Sequence, residues 1–221
     1  MAYPITETTT RQQAEGKRVD RCPVDGFAYE AVILAGGRGS RMGGADKGLV
    51  VWRDKPLVDH LIDRLRGQTV APRRILISAN RNLDEYRRRA TVVTDAEPGF
   101  DGPLRGIQAA LRVCHTSRLL VVPCDTPRLP LVLAERLYRQ GAGHAAFASA
   151  DGHQQPLCCL LRRCDLAALD AFLDTGQRKV RSFMSKIKAV EVNFEDEGDD
   201  LGVDAGGESS FMNFNSPEML S

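Results

Sequence analysis

The densest concentration of chemistry in the chain is ILAGGRGSRMGGADKG, residues 33 to 48, where six glycines, two arginines and a lysine follow an apolar run. Glycines after a strand let the backbone take positive φ, so that successive N–H groups converge on an anion, and a following helix N-terminus adds a favourable dipole. A phosphate chain suits such a loop. The alternative is a glycine-rich turn with no ligand, and Arg38, Arg41 and Lys47 set among the glycines argue against it. Two familiar phosphate-binding patterns fail. A Walker loop needs Ser or Thr after its lysine, and Lys47 precedes Gly48; a dinucleotide fingerprint places Gly37 and Gly39 well but meets Met42 where the third glycine belongs.

A second candidate is Asp125 in PCDTP, behind the apolar run RLLVVPC. At the end of a strand its carboxylate offers a hard oxygen ligand to Mg²⁺ bridging nucleotide phosphates; a turn or helix-capping aspartate is the plain alternative. Asn80 and Asp95 also end apparent strands and could line the same cleft, although each residue type commonly forms turns. The four histidines are scattered without metal-ligand spacing. Six cysteines (Cys22, Cys114, Cys124, Cys158, Cys159 and Cys164) form no CxxC pair, which reads as free thiols in a reducing compartment.

The elements that must position these groups show in the hydrophobic rhythm. AVILAG from residue 31 reads as a buried strand, Leu57, Leu61, Ile62 and Leu65 mark one face of a helix, and RRILISAN is the next strand. A short charged helix near 83 to 89 precedes TVVTD; Leu104, Ile107, Leu111 and Cys114 then fall at helical spacing before RLLVVPCD. Strand and helix thus alternate three times, as in a doubly wound, mainly parallel α/β sheet covered on both faces, where sites form at the carboxyl ends of strands. Later come a helix near 130 to 140, strands near 144 to 150 and 155 to 161, helices near 164 to 174 and 179 to 187, and the strand AVEVNF. Two successive strands without an intervening helix predict an antiparallel excursion, hence a mixed sheet. EDEGDDLGVDAGGESS reads as a solvated acidic loop, FMNFN as a last short strand, and SPEML as a helix start with Ser216 as N-cap and Pro217 at the first helical position.

Whole-chain properties narrow the function. Thirty basic against 29 acidic residues leave a net charge of +1, so no global field favours nucleic acid or an anionic membrane. No apolar run reaches the ~20 residues of a membrane-spanning helix, and the first 20 residues lack the apolar centre of a secretory signal, so a cytoplasmic protein is expected. Residues 1–28 are polar and unpatterned and read as a flexible extension; 29–221 read as one domain. Trp52 is expected to pack beside the glycine loop, and the arginines at 87 to 89 to form a solvated helix face.

LAGGRGSRMGGADKG resembles the signature of nucleotidyltransferases of the glycosyltransferase-A-like fold, in particular the molybdenum cofactor guanylyltransferases of the MobA type. The similarity continues in SANR (78 to 81), TDAEPGFDGPLRG (94 to 106), PCDTP (123 to 127), TGQRKVRSFM (175 to 184) and NFNSPEML (213 to 220). The resemblance implies a three-layer α/β/α nucleotidyltransferase with a mostly parallel mixed sheet. It implies that GTP meets Leu34, Ala35, Gly36, Gly37, Lys47, Asn80, Asp95, Gly102, Pro103 and Asp125, with Asp125 holding Mg²⁺ and with Arg41 and Lys47 neutralising the departing pyrophosphate. Arg178, Asn213 and Asn215 match positions on the molybdopterin side, and Asn213 and Asn215 would share one face of a strand. The acidic segment is longer than the family usually has there, and the resemblance does not reach the N-terminal extension.

The expected reaction joins GMP from GTP to the terminal phosphate of molybdopterin or molybdenum cofactor. That phosphate is already ionised, so the scarcity of His and Ser constellations is no obstacle, and catalysis rests on positioning and charge stabilisation. The expected partners beyond these substrates are proteins that deliver the cofactor or mature molybdoenzymes, and the expected state is a monomer. Two alternatives stay open: the same chemistry with another nucleotide or acceptor (a cytidylyl or sugar-phosphate transferase), and a non-catalytic GTP-binding module. Cytidylyl relatives tend to read LAAG where this chain has Ala35, Gly36 and Gly37.

Overall fold

Alternating apolar side chains drive the central sheet. In the strand β1 (Glu30–Leu34), Ala31 and Ile33 face one core while Val32 faces the other, the period-two division of a sheet buried on both sides. The same division holds in β6 (Arg118–Pro123), with Leu120 and Val122 opposite Leu119 and Val121. The structure, a computed structural model, describes residues 26–35, 46–95, 102–194 and 211. Gly36, Gly37, Arg41, Asn213 and Asn215, the acidic segment 195–210, and Ser216 and Pro217 lie outside the described residues.

After β1 come the short hairpin β2 (Val51–Trp52) and β3 (Lys55–Pro56), the helix α1 (Leu57–Arg66), β4 (Ile75–Ser78), α2 (Leu83–Arg87) and β5 (Thr91–Val93). Helix α3 (Pro103–Val113) leads to β6, then α4 (Leu133–Gln140), β7 (Ala146–Ala150), β8 (His153–Arg162), α5 (Leu166–Asp174), α6 (Val180–Lys186) and β9 (Val190–Asn193). The large sheet has the order β5-β4-β1-β6-β8-β7-β9. All neighbouring pairs are parallel except those of β8, which runs against both β6 and β7. The expected antiparallel excursion is therefore one reversed strand inside a parallel sheet.

Helices α1, α2 and α4 cover one face through Val58, Leu61, Ile62, Leu65, Tyr86, Leu133 and Leu137, and α3, α5 and α6 cover the other through Leu104, Ile107, Leu111, Leu169, Phe172 and Phe183. This is the three-layer α/β/α architecture. No described helix is long and apolar enough to cross a membrane.

Three details differ from the sequence reading. The hairpin β2–β3 was not foreseen: its turn residues Arg53 and Asp54 take left-handed φ of 47° and 65° without glycine or asparagine to announce them. Arg89 is not a solvated side chain like Arg87 and Arg88, because its guanidinium meets the Asp59 carboxylate at 2.8 Å and joins the end of α2 to α1. Phe27, on the extension side of the residue 28 boundary, is buried and stacks on Tyr29 and Tyr138 with ring centroids 5.0 and 4.1 Å away.

Candidate active site

Registry places the site. Leu34 pairs with Ser78 on one side and Pro123 on the other, and Ser78 pairs with Val93, so four parallel strands end in a single row. Three backbone bonds extend that row by one residue: Ala35 N–H to Ser78 O (2.8 Å), Ala79 N–H to Val93 O (3.1 Å) and Cys124 N–H to Leu34 O (3.1 Å). Asn80, Asp95 and Asp125 each stand two residues beyond the row, on one edge of the sheet. From β1 the chain goes first to β4 on one side and later to β6 on the other, which makes the gap between β1 and β6 a topological switch point, where open α/β sheets bind ligands.

Asp125 and Lys47 meet there. The Lys47 Nζ lies 2.7 Å from Asp125 Oδ2, with side-chain exposures of 22% and 18%, so the pair is partly shielded but reachable. Asp125 Oδ1 is buried with no hydrogen-bond partner among the described residues, an arrangement that leaves acceptor capacity for a ligand. The loop after Asp125 is tied to α1 and the turn behind it: Arg64 Nε donates to Leu129 O at 2.7 Å, and Gln68 Nε2 donates to Pro130 O at 2.7 Å. The buried Thr126 hydroxyl donates back to Pro123 O at 3.1 Å.

Asn80 and Asp95 form a mutual clasp between the ends of β4 and β5. The Asn80 amide donates to Asp95 Oδ2 at 2.8 Å, and the Asp95 backbone N–H donates to Asn80 Oδ1 at 3.0 Å. Gly102 takes φ 85° and hands over to Pro103 at the start of α3, a place where a fixed φ and a missing N–H cost nothing. One turn on, Gly106 lies so close to Ser78 Oγ that a Cβ there would collide, and Leu34 Cδ2 stands 3.3 Å from the same position. This glycine lets the first turn of α3 press onto the ends of β1 and β4.

The structure thus brings together Leu34, Ala35, Lys47, Asn80, Asp95, Gly102, Pro103 and Asp125 around the strand ends. Arg178 follows α5, and its guanidinium donates to the carbonyls of Leu173 (2.8 Å) and Gln177 (2.9 Å), capping that helix end. Trp52 packs on Leu57 and His60, with the Arg53 guanidinium 4.6 Å from its ring centroid.

Sequence reasoning missed a buried polar cluster behind Lys47. Asp46, 8% exposed, accepts from the Tyr86 hydroxyl (2.5 Å) and from the Asn82 amide (2.9 Å), and the Arg81 Nε lies 3.6 Å from the same carboxylate. Burial, and next the Asp46 carboxylate, push the Tyr86 hydroxyl far above its usual range, so it stays a donor. The available signal was Tyr86 itself, an aromatic residue three positions after Leu83 in an otherwise charged helix.

A row of polar groups beyond flush parallel strands, with helices on both faces, defines an α/β domain with a candidate ligand site at its strand ends. More particularly, the description MobA-like NTP transferase domain matches residues 31–191, and the chain belongs to that family. It is 41% identical over 197 residues to the molybdenum cofactor guanylyltransferase of Polynucleobacter asymbioticus, with 86% of this chain and 92% of the relative covered. Identity is again 41%, over 191 residues, to the molybdenum cofactor guanylyltransferase of Vibrio vulnificus, covering 86% and 91%. The crystal structure of molybdopterin-guanine dinucleotide biosynthesis protein A from Archaeoglobus fulgidus superposes with a TM-score of 0.66 at 23% identity, over 86% of this chain and 94% of that one. A cytidylyltransferase acting on 2-C-methyl-D-erythritol 4-phosphate, from Francisella tularensis, gives 0.63 at 13% identity, covering 88% and 97%. These two structures share the fold.

Proposed function

We propose that this enzyme transfers GMP from GTP to molybdopterin or molybdenum cofactor, forming the guanine dinucleotide cofactor and releasing pyrophosphate. An oxygen of the acceptor's terminal phosphate forms a bond to the α-phosphorus as the bond from that phosphorus to the β-phosphate bridging oxygen breaks, and the electron pair leaves with pyrophosphate. The single observation that carries the reading is the Lys47–Asp125 pair at 2.7 Å on the strand-end edge, within a chain 41% identical to guanylyltransferases over most of its length.

The residues fit Mg²⁺. Such an ion takes one or two carboxylates and completes its shell with water and substrate phosphates. Asp125 supplies one carboxylate with a buried, unbonded Oδ1, and no group of three or more His, Cys, Asp or Glu among the described residues would hold a metal without substrate. When bound at Asp125, Mg²⁺ would draw negative charge from the phosphate oxygens. Lys47 moves its ammonium between Asp125 and the β- and γ-phosphates, and Arg41 adds a second cation toward the leaving group. Leu34, Ala35, Gly36 and Gly37 bind the GTP, and Asn80, Asp95, Gly102 and Pro103 hold ribose and guanine, with the Asn80–Asp95 clasp keeping both side chains oriented. Arg178, Asn213 and Asn215 bind the molybdopterin. On this reading the enzyme works as a monomer in the cytoplasm and exchanges cofactor with delivery and molybdoenzyme-maturation proteins.

The test is calorimetric titration with GTP, CTP and ATP in Mg²⁺, alongside pyrophosphate release on adding molybdopterin. GTP preference with pyrophosphate release is expected; a CTP preference overturns guanylyl transfer, and GTP binding without release overturns catalysis. Asp125→Ala and Lys47→Ala should each lower kcat by about 10²–10³, the usual loss when one charge-stabilising group is removed.

A further inference from the structure

Lys47 leaves the backbone from a turn (Lys47–Leu49) in which Asp46 occupies the N-cap position yet makes no side-chain cap bond. The Asp46 carboxylate points elsewhere: its Oδ1 accepts from Tyr86 at 2.5 Å and its Oδ2 from Asn82 at 2.9 Å, with Arg81 Nε at 3.6 Å. Gly48, on the far side of Lys47, closes on the same hydroxyl; a Cβ there would stand 2.5 Å from Tyr86 Oη and 3.4 Å from Ala35 Cβ. Of the two neighbours of Lys47, one is thus hydrogen-bonded to a buried tyrosine and the other packs closely against the same side chain. Three successive residues in the loop beyond β4 divide their work: Asn80 holds Asp95, while Arg81 and Asn82 hold Asp46. Asn82 does so from a left-handed backbone at φ 50°, a conformation seldom adopted by a residue other than glycine.

Lysine carries its charge on a flexible four-carbon stem, and in transfer reactions a misplacement of about 1 Å costs as much as 10²-fold. A carboxylate fixed inward on one side and a packed glycine on the other determine the direction in which the Lys47 stem emerges. We infer that Asp46 is a positioning residue for the transfer reaction: clamped by Tyr86, Asn82 and Arg81, it aims the Lys47 ammonium at Asp125 and the departing pyrophosphate. This rests on the role proposed for Lys47 above.

The experiment compares Tyr86→Phe and Asn82→Gly, each alone and combined with Lys47→Ala, in single-turnover pyrophosphate release with GTP and molybdopterin. Asn82→Gly removes the amide donor but suits the left-handed backbone, so its thermal midpoint should hold or rise while its rate falls. Each variant alone is expected to slow turnover roughly tenfold at nearly constant KM for GTP, and by less than about twofold when Lys47 is already alanine. Equal fold-losses in the two backgrounds, unchanged rates, or a rate loss that follows only the thermal midpoint would overturn the inference. Should Lys47→Ala itself turn over like wild type, the catalytic reading of Lys47 fails and the inference falls with it. An impaired Lys47→Ala with additive losses sinks the inference alone.

Discussion

At Gly48 there is no room for a methyl group. The added Cβ would stand 2.5 Å from the Tyr86 hydroxyl, and Tyr86 is fully buried and hydrogen-bonded to Asp46, so it has little freedom to retreat. Gly48→Ala should therefore lower stability by about 1–3 kcal/mol, as overpacking does. Urea unfolding measures it, and a loss within error would mean the tyrosine relaxes. Lys47 and Asp125 were legible in the sequence because each sits in a short block whose residue types are unusual together. Asp46, Asn82 and Tyr86 were not, since their bonds join positions 36 and 40 residues apart and nothing local distinguishes a clamped aspartate from a solvated one. The Asn80–Asp95 clasp lies between these cases: each residue looked like a turn former, and only the parallel pairing of β4 with β5 makes them partners.

Among the elements, α6 ends with a residue poorly matched to its backbone. Lys188 has φ 52°, and the following Ala189 N–H returns to Met184 O at 3.0 Å, closing the helix in the manner that usually employs glycine. Lys188→Gly should raise stability by about 1 kcal/mol, because the left-handed conformation costs an L-residue about that much. A rise in thermal midpoint with unchanged turnover is the expected result, and a fall would show that the lysine side chain contributes packing worth more than the strain. The helices themselves were legible from their apolar faces: Leu57, Leu61, Ile62 and Leu65 are all buried in α1. The β2–β3 hairpin was not, since two-residue strands carry no period and Arg53-Asp54 is not a turn signature.

At the scale of the molecule, β6 is the hinge of the architecture, pairing in parallel with β1 and antiparallel with β8. Leu120 sits at its middle, fully buried, opposite Ala31 on one side and Leu160 on the other. Leu120→Ala should cost about 2–5 kcal/mol in chemical denaturation through lost burial and the cavity left behind. Because β6 also delivers Asp125, a milder Leu120→Val should retain turnover below its lowered midpoint; loss of turnover in a folded Leu120→Val would show that strand packing tunes the site directly.

By itself the sequence determined the class of fold, the glycine-rich loop, and the two charged residues Lys47 and Asp125, because alternating apolar periods and compact motifs are properties of neighbouring residues. It also implied the family through blocks in a recognisable order. Only the tertiary structure decided that four strands end flush, that β8 alone among the described strands of the large sheet is reversed, and that Asp46 is held from behind by Tyr86. Those facts depend on strand order and register. They arise when segments distant in the chain bury their apolar faces against one another, and local pattern leaves that choice open.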